Sequence, residues 1–334
     1  MTAMTMDRLC AYLRECESIA DPIVVVGHEA PDTDAAISSV MEAWRRYVSG
    51  EPAIPFLRCT CLPKEIEAAF GKAAYHLLMG ADGDWLLEEP GLKVVLTDHH
   101  EDPTVAGQIV AIVDHHLPAP GTTFDGIDTC IRRVGAATTL VALRWREEEL
   151  IPDEAVARAL LAGILMDTDG LSPHKTASED LEAVAWLTPL YGAEPMGLYA
   201  ALQELLLGET HVRTLYRRDY RLYPEADVGF AILKVWQHNP PDKAEVRRCL
   251  EDDVDEHERR LCVAKIALYN EDGIQEETYL VDGDPVACDR FLAAVCAEAR
   301  GAAVRIAADE VLLPAGCPRH GRKWYARRLA EILG

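Results

Sequence analysis

The chain has 334 residues, more than one hydrophobic core usually serves, and a formal charge of −23, so two acidic globular domains are expected. That charge repels nucleic-acid backbones and anionic membranes, and neither is an expected partner. No run of 18 apolar residues occurs and the N-terminus lacks a basic segment followed by an apolar one, so neither a membrane span nor a signal peptide is expected. The ten cysteines lie scattered through apolar patterns, which points to a reducing, cytoplasmic compartment. Cys59 and Cys61, one residue apart without a matching second pair, do not form a zinc motif.

In chain order, residues 1–14 are helix-patterned and 23–26 form a β-branched strand, followed by a loop and a helix over 35–48 on which Arg45 reads as a remote surface arginine. Short apolar runs at 53–57, 93–97 and 109–113 read as further strands, and helical periodicity covers 136–148, 153–166 and 178–191. Strands alternating with helices imply an α/β domain around a parallel sheet covered on both faces. Beyond about Leu205 the texture changes. Strands at 228–235, 261–268 and 278–281 mix with helices at 243–250 and 285–298, and a last strand at 303–306 precedes a basic turn and a terminal helix. This reads as a smaller α/β domain, with a hinge at 205–214 and domains at 1–204 and 205–334. Arg217, Arg218 and Arg221 read as a basic strand.

Four clusters of ligand-type residues follow apolar elements in the first half. They are His28-Glu29-Ala30-Pro31-Asp32-Thr33-Asp34, Asp98-His99-His100, Asp114-His115-His116, and Asp167-Thr168-Asp169. Loops leaving the carboxyl ends of strands in an open α/β sheet converge on one crevice. Carboxylates suit hard divalent cations, and added imidazole shifts preference from Mg²⁺ toward Mn²⁺, Co²⁺ or Fe²⁺. Two such ions bridged by hydroxide supply a nucleophile and clamp both the attacking and leaving oxygens. Each cluster has a plainer reading. Asp32 and Asp34 could cap the following helix, an Asp-His-His could be a solvated loop, and Asp167 could end its helix. The coincidence of all four favours a metal site.

The ordered set Gly-His-x-x-Pro-Asp-Thr-Asp-Ala, Thr-Asp-His, Val-Asp-His-His and Asp-Thr resembles the DHH phosphoesterase superfamily. Its Pro-Asp-Thr-Asp variant is similar to the branch of family II inorganic pyrophosphatases and exopolyphosphatases, which carries a DHHA2-type second domain. The resemblance implies a parallel-sheet DHH domain, a smaller DHHA2-like domain, and an active site in the cleft between them. It implies two divalent ions, Mn²⁺ foremost with Co²⁺ or Mg²⁺ as alternatives. His28, Asp32 and Asp98 would hold one, and Asp34, His115 and Asp167 the other, with Asp98 shared. His116 would face substrate as proton donor, and Asp114 would orient the neighbouring histidines. His99 and His100 receive no role.

In the second half the family's Asp-x-Lys and Ser-Arg-Lys phosphate-binding segments have their counterparts in Asp219-Tyr220-Arg221 and Gly321-Arg322-Lys323. Arg221, Arg322 and Lys323 are thus the implied substrate cations. Arginine for lysine and glycine for serine are departures. The implied activity is hydrolysis of a phosphoanhydride, foremost pyrophosphate, by a metal-bridging hydroxide. Exopolyphosphatase or nucleotide phosphohydrolase activity is the enzymatic alternative. A metal-binding regulatory protein is the non-enzymatic one, which the complete ligand set opposes. A single-strand exonuclease is disfavoured by the charge. The expected partner is a small anionic phosphate, and a homodimer is compatible with the pattern.

Overall fold

The computed structural model describes every residue except 1, 81–88, 103, 104, 120, 272, 319 and 321, and every side chain of these except 323 and 326. The chain divides into two compact units, Met1–Glu204 and Leu205–Gly334.

The first unit opens with β1 (Thr2–Met4) and α1 (Met6–Glu15), where a single helical pattern was expected from residue 1. β1 pairs in parallel with a distant partner, β7 (Leu150–Pro152). Three residues are too few to show a strand period against the helix that follows. Between them run β2 (Ile23–Val26), α2 (Thr33–Val48), β3 (Ala53–Phe56), α3 (Lys64–Phe70), β4 (Lys93–Thr97), β5 (Gln108–Asp114), β6 (Asp128–Ile131) and α4 (Ala137–Glu147). The five-stranded sheet has the order β3-β2-β4-β5-β6, and all its pairings are parallel. From β2 the chain moves to one side for β3, then to the other for β4. The carboxyl ends of β2 and β4 therefore flank a switch point, where loops diverge and leave a crevice. α5 (Glu154–Asp167), α6 (Ser178–Tyr191) and α7 (Pro195–Leu207) follow, α7 running across the division at Glu204.

α2 is buried along nearly its whole length from Thr33 to Arg46, polar residues included. Arg45 is therefore no surface arginine, contrary to the sequence expectation. It is 9% exposed, its Nε and Nη2 each donate to Glu42 at 2.8 Å, and Nη1 pairs with Glu148. Arg46 and Arg144 also reach the Glu42 carboxylate, at 2.9 and 3.3 Å. A buried carboxylate persists only when its charge is met and its lone pairs are bonded, and three arginines do both for Glu42.

The second unit contains α8 (Val212–Arg218), β8 (Tyr220–Tyr223), β9 (Val228–Trp236), α9 (Lys243–His257), β10 (Leu261–Asn270), β11 (Gly273–Gly283), α10 (Pro285–Glu298), β12 (Val304–Ala307), β13 (Glu310–Leu313), α11 (Arg322–Ala326) and α12 (Leu329–Leu333). Its six-stranded sheet runs β12-β13-β11-β10-β9-β8. Only β9 and β10 are parallel neighbours. Strand alternation sends Val228, Phe230, Leu261, Val263, Tyr279 and Val281 to one face against Phe291 and Tyr325. Ala231, Leu233, Cys262, Ala264 and Leu280 go to the other, against α8 and α9. Arg217 and Arg218 end a helix rather than lying on a strand, and only Arg221 is on β8. The short helix α8 carries too few turns for its period to stand out in the sequence.

Candidate metal centre

The four ligand clusters meet at the carboxyl edge of the parallel sheet. Gly27 ends the approach from β2, and a Cβ there would come within 2.8 Å of the Ala35 carbonyl oxygen. Only glycine lets the loop pass this close to the start of α2. His28 follows, its Nδ1 donating to the Glu29 carbonyl at 2.9 Å. That bond fixes the tautomer and leaves Nε2 as the lone-pair atom. Nε2 lies 3.6 Å from Asp32 Oδ2 and 3.3 Å from Asp98 Oδ2. Asp32 fulfils both of its readings. Its Oδ1 caps α2 by accepting from the Ala35 amide at 3.0 Å, while Oδ2 faces His28.

Asp98 stands one residue beyond β4 with φ at +62°, a left-handed conformation costly for any non-glycine residue. Its amide donates to the Val113 carbonyl at 3.0 Å, so the adjoining strand end holds the strained geometry. Its two oxygens face different partners: Oδ2 points to His28, and Oδ1 lies 2.9 Å from His115 Nε2. His115 repeats the logic of His28, with Nδ1 donating to the Val134 carbonyl at 3.1 Å. Its Nε2 also lies 3.3 Å from Asp167 Oδ2 and 4.0 Å from Asp34 Oδ2. Asp34 is anchored at the N-terminus of α4, whose Ala137 and Thr138 amides donate to its Oδ2 and Oδ1 at 2.6 and 2.8 Å. α4 has no side-chain cap from its own residues, so Asp34 serves in that place.

Two triads result, His28/Asp32/Asp98 and Asp34/His115/Asp167, each with ligand-type atoms within 4.8 Å of one another. The donor set fits divalent cations. Asp98 Oδ1 and His115 Nε2 are buried and, although close, make no aligned hydrogen bond; a cation bonded to both would satisfy them. Electrostatics agree. Burial, with the charges of Asp98 and Asp167, pushes the Asp34 carboxyl well above the usual range. Burial disfavours charge on His115, yet Asp98, Asp167 and Asp34 outweigh it and push its pKa up to about 11. The cluster thus demands positive charge, which a proton supplies when a metal does not.

Asp114, the last residue of β5 and fully buried, orders two further histidines. Oδ1 accepts from the His116 amide and Nδ1, both at 3.0 Å, and Oδ2 contacts His100 Nδ1 at 2.5 Å. His116 remains one-third exposed, with Nε2 as its unrestrained edge. His100, without a role in the sequence reading, shares the carboxylate that orients His116. His99 contacts the Thr97 carbonyl at 2.8 Å and Asp102 at 3.3 Å, and Asp102 pairs with the buried Arg58. The sequence reading missed Asp180. This fully buried carboxylate accepts from the Gly135 and Ala177 amides, both at 2.7 Å, and from the Thr139 hydroxyl at 2.5 Å. Its position in the first turn of α6 signals only a helix cap.

The second-unit cations lie apart from this cluster in sequence. Arg322 donates to the Asp219 carbonyl at 2.6 Å and to its Oδ1 at 2.5 Å. Arg221 donates to the Tyr220 carbonyl at 2.9 Å. Gly321 and the Lys323 side chain are outside the described residues.

Comparison with known proteins agrees with this geometry. Residues 22–164 match the family described as "DHH family, N-terminal domain". A Deinococcus radiodurans protein named "Probable manganese-dependent inorganic pyrophosphatase" is 30% identical over 217 residues, covering 61% of this chain and 66% of that one. Proteins of the same name from Streptococcus suis and Oceanobacillus iheyensis are 31% and 27% identical, over 51% and 67% of this chain and 55% and 72% of theirs. The chain thus spans between about half and three quarters of these curated relatives. A Methanococcus jannaschii crystal structure, assigned by name to the family II inorganic pyrophosphatases, shares the fold with a TM-score of 0.65 at 21% identity, covering 93% of this chain and 99% of that one. The domain at residues 22–164 is thus a DHH-family domain.

Proposed function

We propose that the chain hydrolyses a phosphoanhydride, inorganic pyrophosphate, with two manganese-class ions held by His28, Asp32, Asp98, Asp34, His115 and Asp167. The observation that carries this reading is Asp98, whose two oxygens each face a different triad. Divalent ions bound in the two triads would lower the pKa of water and offset charge on phosphate oxygens. The relatives named as manganese-dependent pyrophosphatases support the metal and the substrate class. The chain's own residues do the remainder. The Val134 and Glu29 carbonyls keep His115 and His28 in the tautomer that points Nε2 inward. Asp114 holds His116 with Nδ1 engaged, so that a proton on Nε2 is placed for donation to a leaving phosphate oxygen. Arg221, Arg322 and Lys323 are assigned to bind the phosphates, Arg322 pre-oriented by Asp219.

A short substrate is favoured over long polyphosphate. The terminal-helix arginine Arg328 is already engaged by Glu331 and Glu298 and lies 4.4 Å from the Trp324 ring centre. Extra phosphates would have to displace those contacts. The formal charge of −23 supports a small anion rather than nucleic acid as partner, and the reading includes a cytoplasmic setting. Phosphate release from pyrophosphate, tripolyphosphate, long polyphosphate and nucleotides, with Mn²⁺ or Co²⁺ supplied, tests the substrate. Elemental analysis should give two ions per chain, and gel filtration decides between monomer and homodimer. Saturation at one ion per chain, or release from polyphosphate without release from pyrophosphate, would refute the corresponding half of the proposal.

A further inference from the structure

A buried ion pair lies beside the main chain of His320, two residues before Arg322, and it has no part in the chemistry described so far. Lys265 on β10 and Glu277 on β11 are 6% and 0% exposed, with Nζ 2.7 Å from Oε1. Strand alternation puts both on the face otherwise filled by Val263, Tyr279 and Val281. An apolar pair would fill these positions without desolvating two charges, so the pair is a poor device for stability alone. A second contact of the lysine is informative. Lys265 Nζ also donates to the His320 main-chain carbonyl at 3.3 Å. The Tyr279 hydroxyl, 3.3 Å from Glu277 Oε2, supports the carboxylate from its other side.

His320 and Arg322 are therefore each held by a separate contact. Lys265 holds the carbonyl of His320, and two residues later Asp219 holds the Arg322 guanidinium. Between them the His320 ring stacks on Trp324, with centroids 4.0 Å apart and planes 13° from parallel. The ammonium can grip the carbonyl because Glu277 fixes its position.

We propose that Lys265, held by Glu277, is a positioning residue that pre-orders His320, and with it Arg322, for phosphate binding; the substrate link rests on the function proposed above. Holding these two residues before binding removes an entropic cost that would otherwise be met on every encounter.

The test uses the full-length, metal-loaded protein. Lys265→Met alone would strand a buried carboxylate, so the informative variant is Lys265→Met/Glu277→Gln. Lys265→Gln/Glu277→Gln is the second pair should the first not fold. Trypsin cleavage between residues 318 and 324 is followed under native conditions alongside the unfolding temperature. Loss of the charged hydrogen bond to His320 should raise the population in which this main chain is released, and with it the cleavage rate, about tenfold. The unfolding temperature should stay near that of the parent. KM for pyrophosphate should rise by a similar factor with kcat changed less, and Lys265→Arg, which can reach both partners, should restore both readouts. Unchanged cleavage in a folded double variant overturns the proposal. Faster cleavage with unchanged KM overturns its link to substrate. If the parent protein does not hydrolyse pyrophosphate, the functional reading falls, and the cleavage measurement still decides whether Lys265 orders His320.

Discussion

Replacing Asp180 by alanine should destabilise the first unit more than most single substitutions, and the structure sets the size. The carboxylate is fully buried and accepts three hydrogen bonds, two from amides and one from a hydroxyl. Alanine removes every acceptor and leaves the Gly135 and Ala177 amides and the Thr139 hydroxyl without partners. An unsatisfied buried polar group costs about 1–3 kcal/mol, and partial water entry trims the total to about 3–6 kcal/mol. For a unit of this size about 2–4 °C of unfolding temperature accompanies each kcal/mol, so the loss should be about 6–24 °C. Asp180→Asn should cost less than half as much, because one oxygen can still serve both amides and the Thr139 hydroxyl can rotate to accept from the new NH₂ group. Calorimetry of the two variants supplies the numbers. The metal site should feel the change too. Gly135 adjoins Val134, whose carbonyl orients His115, and a Cβ at Gly135 would collide with Thr168 and the Lys175 carbonyl. Metal affinity should therefore fall in the alanine variant, and less in the asparagine variant, which keeps the Gly135 bond. An alanine variant within about 2 °C of the parent, or an asparagine variant as damaged as alanine, would refute this account.

Three further outcomes follow from the same contacts. Asp34→Asn sets an NH₂ group against one of the Ala137 and Thr138 amides, which should cost about 1–3 kcal/mol and lower metal content toward one ion per chain; two tightly bound ions would contradict it. The Glu42 carboxyl is held below its ordinary 4.5, burial opposing its charge and the Arg45 bond, with Arg46 and Arg144, outweighing that. Its stabilisation is thus complete above pH 4.5 and lost as pH falls through the lower folded value; Glu42→Gln should cost about 3–5 kcal/mol at neutral pH and flatten the acid limb of a stability-against-pH curve, whereas an unchanged limb counts against the network. Asp114→Ala, which releases both His100 and His116, should lower kcat more than His100→Ala, and the reverse order would disprove the shared-carboxylate arrangement.

The convergence of the proposed ligands was legible in the sequence because each follows an apolar strand or helix, and a parallel sheet brings such ends together whatever lies between them. His28, Asp98 and His115 need only that rule, plus the loop chemistry of Pro31 and the αL position at Asp98. The partners that orient them were not legible. Val134 acts through its carbonyl, which every residue possesses. Asp180 looks like an ordinary first-turn carboxylate, and nothing local says that its oxygens face Gly135 and Thr139, more than 40 positions away. His100 matched no family role because its partner Asp114 belongs to another strand.

Arg45 shows why the remaining error had a physical rather than an accidental origin. Charged residues on an amphipathic helix are normally solvated, since an unpaired buried charge is prohibitively costly. α2 breaks that expectation because its cost is met from elsewhere. Arg144 and Glu148 arrive from α4 and the residue after it, about a hundred positions along the chain, and Glu42 on α2 itself closes the network. α2 is buried along its length, while Asp32 at its N-cap and Asp34 in its first turn belong to the two triads. A helix that lines the metal centre at one end and remains enclosed along its length must neutralise its polar residues internally. The same reasoning makes α2, rather than the loops, the element whose destabilisation should loosen both triads at once.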